Sequence, residues 1–550
     1  MYCQETGLKN EQSILIIGVD GGTWTILKPA MEHGYMPFLK SMVDKGASGI
    51  LESTIPAITP AAWGTFQTGM NPGENGVHDF FQWDKRQKKT SIVNSENLRE
   101  TIWEIASRTG KRVGVINVPM TYPPKPVNGY VIGGLLTPSL ESEFTYPAGL
   151  KNELLSAVPD YSILNLGKTD KSRPHKDIAA FVEQMASELD NRANAAEFVI
   201  NKGPLDILMV HFQAPDAVQH HLWGYIAEGH RLYDAKVRRR VFESFYSRLD
   251  HQMQRVSELF WKSVERPGTT FIVSDHGFQA SDTAVNLGVW LKRQGYLQAN
   301  PRKWNMRLFL AKAFRRSGLK RLLARFLPDR IMSMTDESQF RRNTGPYCWE
   351  QSRAYATGGN SEGFIYLLEE DQGRRTVTER GLISDLGTLK DHSGNPIVSH
   401  VYRKQEIFHG SRMDIMPDLV VVPAEGYSFY GTHQKTSRLL RKTGKSKGIP
   451  IGKHDKDGIF VACGNDVVRK EGLRASIADI APTVLCMMSL PVRADCDGHI
   501  LTEVFSGGLS VNHRSEGSYL PEQTSRQRPR TYDSKEQQHI EDRLRGLGYL

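Results

Sequence analysis

The sequence predicts an α/β fold, a mostly parallel sheet sandwiched by helices. Three observations point to it. Short apolar, β-branched runs recur along the N-terminal half, helical stretches separate them, and acidic or imidazole side chains stand where several runs end. A chain of 550 residues exceeds one small domain, and its 39% hydrophobic fraction supplies a sizeable core.

SILIIGVD (13–20) is a buried strand by length and β-branching, and the stretch 23–46 is helix-like and ends at Gly46. ASGILESTI (47–55), KRVGVINVP (111–119) and GYVIGGLL (129–136) are further strands. A helical pattern over 175–202 ends near Gly203, and DILMVHFQAPD (206–216) reads as a strand running into a polar loop. Residues 228–264 are charged, periodic and helical, and TTFIVSDHGF (269–278) is a strand ending in a polar cluster. The pattern changes near residue 300. Residues 303–330 interleave Leu308, Leu310, Phe314, Leu319, Leu322, Leu323 and Phe326 with Lys and Arg, as in a basic helical insertion or cap. Strand character resumes in YATGGNSEGFIYLL (355–368), DLVVVPA (418–424) and DGIFVACG (457–464), and 475–490 reads as one more helix. Residues 435–448 form a basic loop. The expected division is 1–290 and 346–505 as two parts of one catalytic core, 291–345 as the basic insertion, and 506–550 as a polar, flexible tail closed by a short helix.

Composition narrows the function classes. The five cysteines form no CxxC pair and are odd in number, which speaks against a disulfide framework or a zinc–cysteine site. No window holds the roughly 18 consecutive apolar residues of a membrane span, and the polar MYCQETGLKNEQ has no signal-peptide pattern. A cytoplasmic location is expected, with peripheral contact to an anionic membrane through 303–330 as the alternative. The net charge of +9 suits an anionic substrate or membrane without choosing between them. No specific nucleic-acid binding is expected.

Chemistry-bearing residues cluster where strands should end, which is where doubly wound sheets bind ligands. Asp20 in GVDGG follows a buried strand; by itself it is also an ordinary turn residue. Thr59 in IPAITPAAWG opens a small-residue helix; it reads equally as a cap or as a nucleophile at the anion-favouring helix start. Asp216 and His220 in PDAVQHH share a face if the segment is helical, with His221 about 100° away. Asp275 and His276 in VSDHGF reach one point at a turn that Gly277 permits. His454 in GKHDKDGIF precedes another strand, with His433 a competitor. Buried charges of this kind are costly without a cation, and Asp and His supply ligands that zinc accepts.

Taken together, IIGVDGGTW, ITPAAWGTFQTGMNPGENGVHDFF, VPMTYPP, PDAVQHHLW, VSDHGF, GKHDKDGIFVACG and SIADIAPTVL resemble the alkaline phosphatase superfamily. Within it the chain is most similar to the type I phosphodiesterase/nucleotide pyrophosphatase group, in a bacterial and archaeal branch described as phosphohydrolase/phosphomutase. The resemblance spans most of residues 13–505 and implies an alkaline-phosphatase-like core. It implies Thr59 as nucleophile, and Asp20, Asp275 and His276 as ligands of one metal that Thr59 also touches. It gives Asp216, His220 and His454 to a second metal, preferring His454 to His433 for its HDKDGIF context. The implied cofactors are two zinc ions, or alternatively manganese, and the implied substrate is a small-molecule phosphoester, a diester first. Hydrolysis would run through a phospho-threonine. A phosphomutase, phosphotransferase or phosphomonoesterase would share the site, and a non-catalytic metal-binding or membrane-associated protein is the rival of another class. One departure stands out: where nucleotide pyrophosphatases place an Asn that holds a phosphate oxygen, this chain has Phe80.

Overall fold

The computed structural model describes residues 12–164, 177–299, 347–431, 438–443, 450–506 and 530–549. The basic stretch 303–330, His433 and most of the 435–448 loop lie outside these residues.

The strand Ser13–Val19 is buried along its whole length and lies near the middle of a nine-stranded sheet. Its side chains alternate between two cores: Ile14 and Ile16 face one, Leu15, Ile17 and Val19 the other. Ile207–Phe212 and Gly268–Val273 pair with it in parallel on either side. Beyond Ile207–Phe212 lie Val113–Ile116, Gly129–Ile132 and Thr145–Tyr146. Beyond Gly268–Val273 lie Asp457–Gly464, Ala47–Glu52 and Lys470–Ser476. Five of the eight pairings are parallel; the antiparallel ones join Asp457–Gly464 to both neighbours and Thr145–Tyr146 to the edge. Helices cover both faces, so the α/β expectation with a mainly parallel sheet holds.

Three smaller sheets accompany the large one, one of them the antiparallel pair Phe81–Asp84 and Lys89–Ile92. Ala354–Thr357, Gly363–Leu367, Leu419–Pro423 and Val398–Arg403 form an antiparallel sheet of four strands. The long strand Gly277–Asn286 leaves the central sheet after Gly268–Val273 and pairs with Gly426–Tyr430, Leu440–Lys442 and Gly452–Asp455.

Several local features differ from the sequence-based expectation. The stretch 23–46 is two helices, Trp24–Glu32 and Pro37–Lys45. Pro37 has no N–H and disfavours helical backbone at the residue before it, so the chain breaks there. The second helix starts on a distant cap: Asp250 accepts from the backbone N–H groups of Phe38 and Leu39, both at 2.8 Å. The polar segment after Phe212 is no loop, because the helix Ala214–Ile226 begins at once with Pro215 in its first turn. Within 228–264 the helix starts at Ala235 and carries a π-helical turn at Phe242–Tyr246 before Ser247–Ser263. Apart from these differences, the short closing helix is Ser534–Leu547, packed on the body with Ile540, Leu544 and Leu547 fully buried. No helix among the described residues is long and apolar enough to cross a membrane.

Strand packing at the sheet edge leaves no room for a side chain at Gly49. A Cβ there would lie 1.9 Å from the Leu473 carbonyl oxygen on the neighbouring strand. Gly49→Ala is therefore expected to cost about 1–3 kcal/mol, read as a lower urea midpoint. An unchanged midpoint would refute this close approach of Ala47–Glu52 and Lys470–Ser476.

Candidate metal centre

Three adjacent strands end at one place. Asp20 directly follows Ser13–Val19, Asp275 lies two residues past Gly268–Val273, and Asp216 sits in the first turn of the helix that follows Ile207–Phe212. All three carboxylates are fully buried. The antiparallel register of Gly277–Asn286 with Gly452–Asp455 sets His454 opposite Phe278, two residues beyond His276. Helical spacing then brings His220 to the side of Asp216, with their Nε2 and Oδ1 atoms 3.3 Å apart.

The side chains gather into two triads. Asp20, Asp275 and His276 form one and Asp216, His220 and His454 the other, and within each triad the potential ligand atoms lie within 4.8 Å of one another. The triads adjoin, since the rings of His276 and His454 stack with centroids 3.6 Å apart. His221 points elsewhere, with its Nε2 2.9 Å from the Gly546 carbonyl. Thr59 begins the helix Thr59–Thr68, but its hydroxyl does not cap that helix. Its Oγ1 lies 3.3 Å from His276 Nε2 instead, inside the site.

The donor set fits divalent cations on three counts. First, Asp20 Oδ1, Asp275 Oδ2 and Asp216 Oδ1 are buried without a hydrogen bond, which is costly for carboxylates unless a positive charge answers them. Second, the imidazoles are oriented from behind. His220 Nδ1 lies 3.0 Å from the Gly452 carbonyl, His454 Nδ1 2.8 Å from that of Ala57, and His276 Nδ1 3.1 Å from that of Gly277. Each Nδ1 then carries the proton and each Nε2 presents a lone pair to its triad. Third, His220 Nε2 and His454 Nε2 lie 3.0 Å apart and each 3.3 Å from Asp216 Oδ1, so three potential ligand atoms surround one point.

Electrostatics agree. Burial, reinforced by the neighbouring carboxylates, pushes Asp20 and Asp275 well above the usual carboxylate range. Burial also raises Asp216, but the His220 and His454 imidazoles outweigh it and hold that carboxyl low. Burial pushes His276 and His454 down, disfavouring their charged forms.

Residues that the sequence reading did not single out complete the surroundings. Trp63 Nε1 donates to Asp20 Oδ2 at 3.2 Å, and His211 Nε2 lies 3.0 Å from the same oxygen. His211 stands on a strand whose residues are all buried, so nothing in its local pattern separates it from a core residue. Asn360, at a left-handed φ of 52°, donates to the Gly452 carbonyl at 3.1 Å and accepts from the Tyr430 hydroxyl at 2.9 Å. Tyr549 reaches in from the far end of the chain, its hydroxyl 2.9 Å from Thr59 Oγ1. Next to Tyr549 and His454 opens a narrow cleft walled by Phe80, Phe81, Tyr355 and the Gly358–Gly359 pair. Asp79 faces the same cleft, its carboxyl pushed up to about 7 by burial.

The family model for type I phosphodiesterase / nucleotide pyrophosphatase matches residues 14–457. Among solved structures, human ectonucleotide pyrophosphatase / phosphodiesterase 5 aligns at 13% identity and a TM-score of 0.50, covering 91% of this chain and 100% of its own. Phosphonoacetate hydrolase from Sinorhizobium meliloti 1021, in complex with phosphonoacetate, aligns at 14% identity and 0.50, covering 87% and 96%. At these identities the two structures speak for the fold alone. No curated protein matches the chain.

If both triads hold cations, the metal-stripped chain takes up two divalent ions per molecule in a calorimetric titration. Saturating metal then adds about 3–4 kcal/mol to unfolding stability for each occupied site at 100–1,000 times Kd, roughly twice that for both. The double substitution Asp216→Asn, His454→Ala is expected to bind one ion. A wild-type stoichiometry of one would contradict the pairing of triads.

Proposed function

Because the chain belongs to the type I phosphodiesterase / nucleotide pyrophosphatase family, a family of phosphoester hydrolases, we propose that it cleaves a small-molecule phosphodiester through a covalent phospho-threonine on Thr59. The observation that carries this reading is the position of Thr59 Oγ1. It is fully buried, spared from capping its own helix, and turned to the junction of two triads whose unpartnered carboxylate oxygens await cations.

In this reading Asp20, Asp275 and His276 hold one ion beside Thr59, and Asp216, His220 and His454 hold the other. Zinc is the first choice for sets of carboxylate oxygen and imidazole nitrogen, and manganese the second. Such ions supply the positive charge that favours an ionised Thr59 and stabilises developing oxyanions. Thr59 Oγ gives its proton to solvent and attacks phosphorus; the Oγ–P bond forms and the bond to the leaving oxygen breaks. The leaving alkoxide takes a proton from solvent and departs as the alcohol. Water then attacks the phospho-threonine, the Oγ–P bond breaks, and the Thr59 hydroxyl is restored. The N-terminus of the helix Thr59–Thr68 favours the negative charge that builds on the phosphoryl oxygens.

The surroundings support a diester over a monoester. Among the described residues that line the adjoining cleft, none is a lysine or arginine, and Asp79 adds an acidic group. A monoanionic diester needs less compensation there than a dianionic monoester. The aromatic wall of Phe80, Phe81 and Tyr355 suits an apolar or stacking leaving group. Transfer to an alcohol in place of water would make the same site a phosphotransferase, and product analysis with added acceptor alcohols separates the two.

Thr59→Ala in the zinc-loaded protein is expected to lower kcat on bis(p-nitrophenyl) phosphate by roughly 10³-fold or more, while still binding two ions. Thr59→Ser should retain measurable turnover, and acid quenching during turnover should trap phosphate on residue 59 by mass spectrometry. Wild-type-like hydrolysis by Thr59→Ala would reject the nucleophile.

A further inference from the structure

Tyr549 enters the site from a segment that is built in. The helix Ser534–Leu547 lies against the helix that carries Asp216 and His220, with the Gly546 carbonyl 2.9 Å from His221 Nε2. Arg543 fastens it, donating to the carbonyls of Leu135 at 2.7 Å, Thr137 at 2.6 Å and Pro138 at 3.2 Å. Upstream, Tyr532 stacks on Tyr122, and Arg530 donates to the Tyr122 hydroxyl at 3.0 Å. Gly548, at a left-handed φ of 101°, ends the helix and turns the chain inward. The fit beyond it is close: a Cβ on Gly359 would lie 2.1 Å from the Tyr549 carbonyl oxygen.

The Tyr549 ring packs between Phe80, His220 and His454, with centroids 4.7, 5.2 and 5.6 Å away. Its hydroxyl donates to Asp216 Oδ2 at 2.9 Å and lies 2.9 Å from Thr59 Oγ1, 490 positions earlier in the chain. One hydroxyl thus touches the oxygen read above as the nucleophile and a carboxylate of the opposite triad. A phenol both donates and accepts, and rotation about its C–O bond redirects the proton without moving the ring. Phe80, on the other side of that ring, has no polar atom to offer a phosphoryl group.

Resting on the phosphohydrolase reading, we propose that Tyr549 is a catalytic residue whose hydroxyl donates a hydrogen bond to a nonbridging oxygen of the phosphoryl group carried by Thr59. The alternative use of the same contact is a plug that must withdraw before substrate enters. The backbone fit at Gly359 and the three carbonyls gathered by Arg543 favour a resident group over a withdrawing one.

The test uses the full-length zinc-loaded protein, bis(p-nitrophenyl) phosphate as substrate and orthovanadate as a turnover-independent probe. Tyr549→Phe keeps the ring packing and is expected to lower kcat by roughly 10²-fold with KM little changed, and to weaken orthovanadate binding by about 10-fold. Arg543→Ala, which releases the segment, should lose at least as much kcat. Wild-type kcat and orthovanadate affinity in Tyr549→Phe would overturn the proposal while leaving the Thr59 reading intact. Faster turnover by either variant would overturn it in favour of the plug. If the wild type proves inert on the diester, the orthovanadate comparison still decides the role of Tyr549. A wild type that neither turns over nor binds orthovanadate removes the functional reading and this one with it.

Discussion

Three carboxylates buried side by side are the constraint around which the rest of the molecule is arranged. Asp20, Asp216 and Asp275 have no access to solvent, and each keeps one oxygen without a hydrogen bond. An uncompensated group of this kind costs several kcal/mol, and three together repel one another as well. Such a cluster persists only where a fold forces it and a counter-charge is meant to arrive. The forcing is topological: the three residues leave the same edge of one sheet from three adjacent strands. Moving any one strand by a single position would turn its terminal side chain to the opposite face.

The imidazoles depend on the same scaffold but are aimed by backbone. Carbonyls of Ala57, Gly452 and Gly277 face the Nδ1 atoms, so orientation is set by rigid main chain. Trp63 and His211 steady the outer oxygen of Asp20 in the same manner. Thr59 inherits its place from the helix it begins, and that helix is buried along its whole length. Its hydroxyl is therefore held on a rigid element between His276 and Tyr549, the preorganisation that the proposed nucleophile requires.

Much of this was legible in the sequence, for physical reasons that can be named. The strand 13–19 is buried on both faces, so it reads as an unbroken apolar run. Asp20, Asp275 and His276 stand out because a charged or imidazole side chain at the end of such a run gains nothing from packing there. The Asp216–His220 spacing needed only the helix that is there. The family motifs implied a nucleophilic role for Thr59 and preferred His454 to His433, which spacing alone left open. The polar stretch beginning at Gln213 was misread because Pro215 signals a loop as readily as a first helical turn. His211 was silent because a buried histidine on a core strand has no distinguishing local pattern. Tyr549 lies in the closing RLRGLGYL, which resembles an ending of the same family branch, but no periodicity states where a residue beyond the helix's last turn will point.

The place of Asp457–Gly464 in the sheet has a consequence for how the chain comes to be folded. This strand lies between Ala47–Glu52 and Gly268–Val273, both of which precede it by a long stretch of sequence. Until it is synthesised and inserted, those two earlier strands present open hydrogen-bonding edges toward each other across an unfilled gap. Open edges of apolar strands are templates for pairing between molecules, and closure over such separations is slow. The central sheet is therefore complete only once Asp457–Gly464 is seated between strands that precede it by far, the same event that delivers His454.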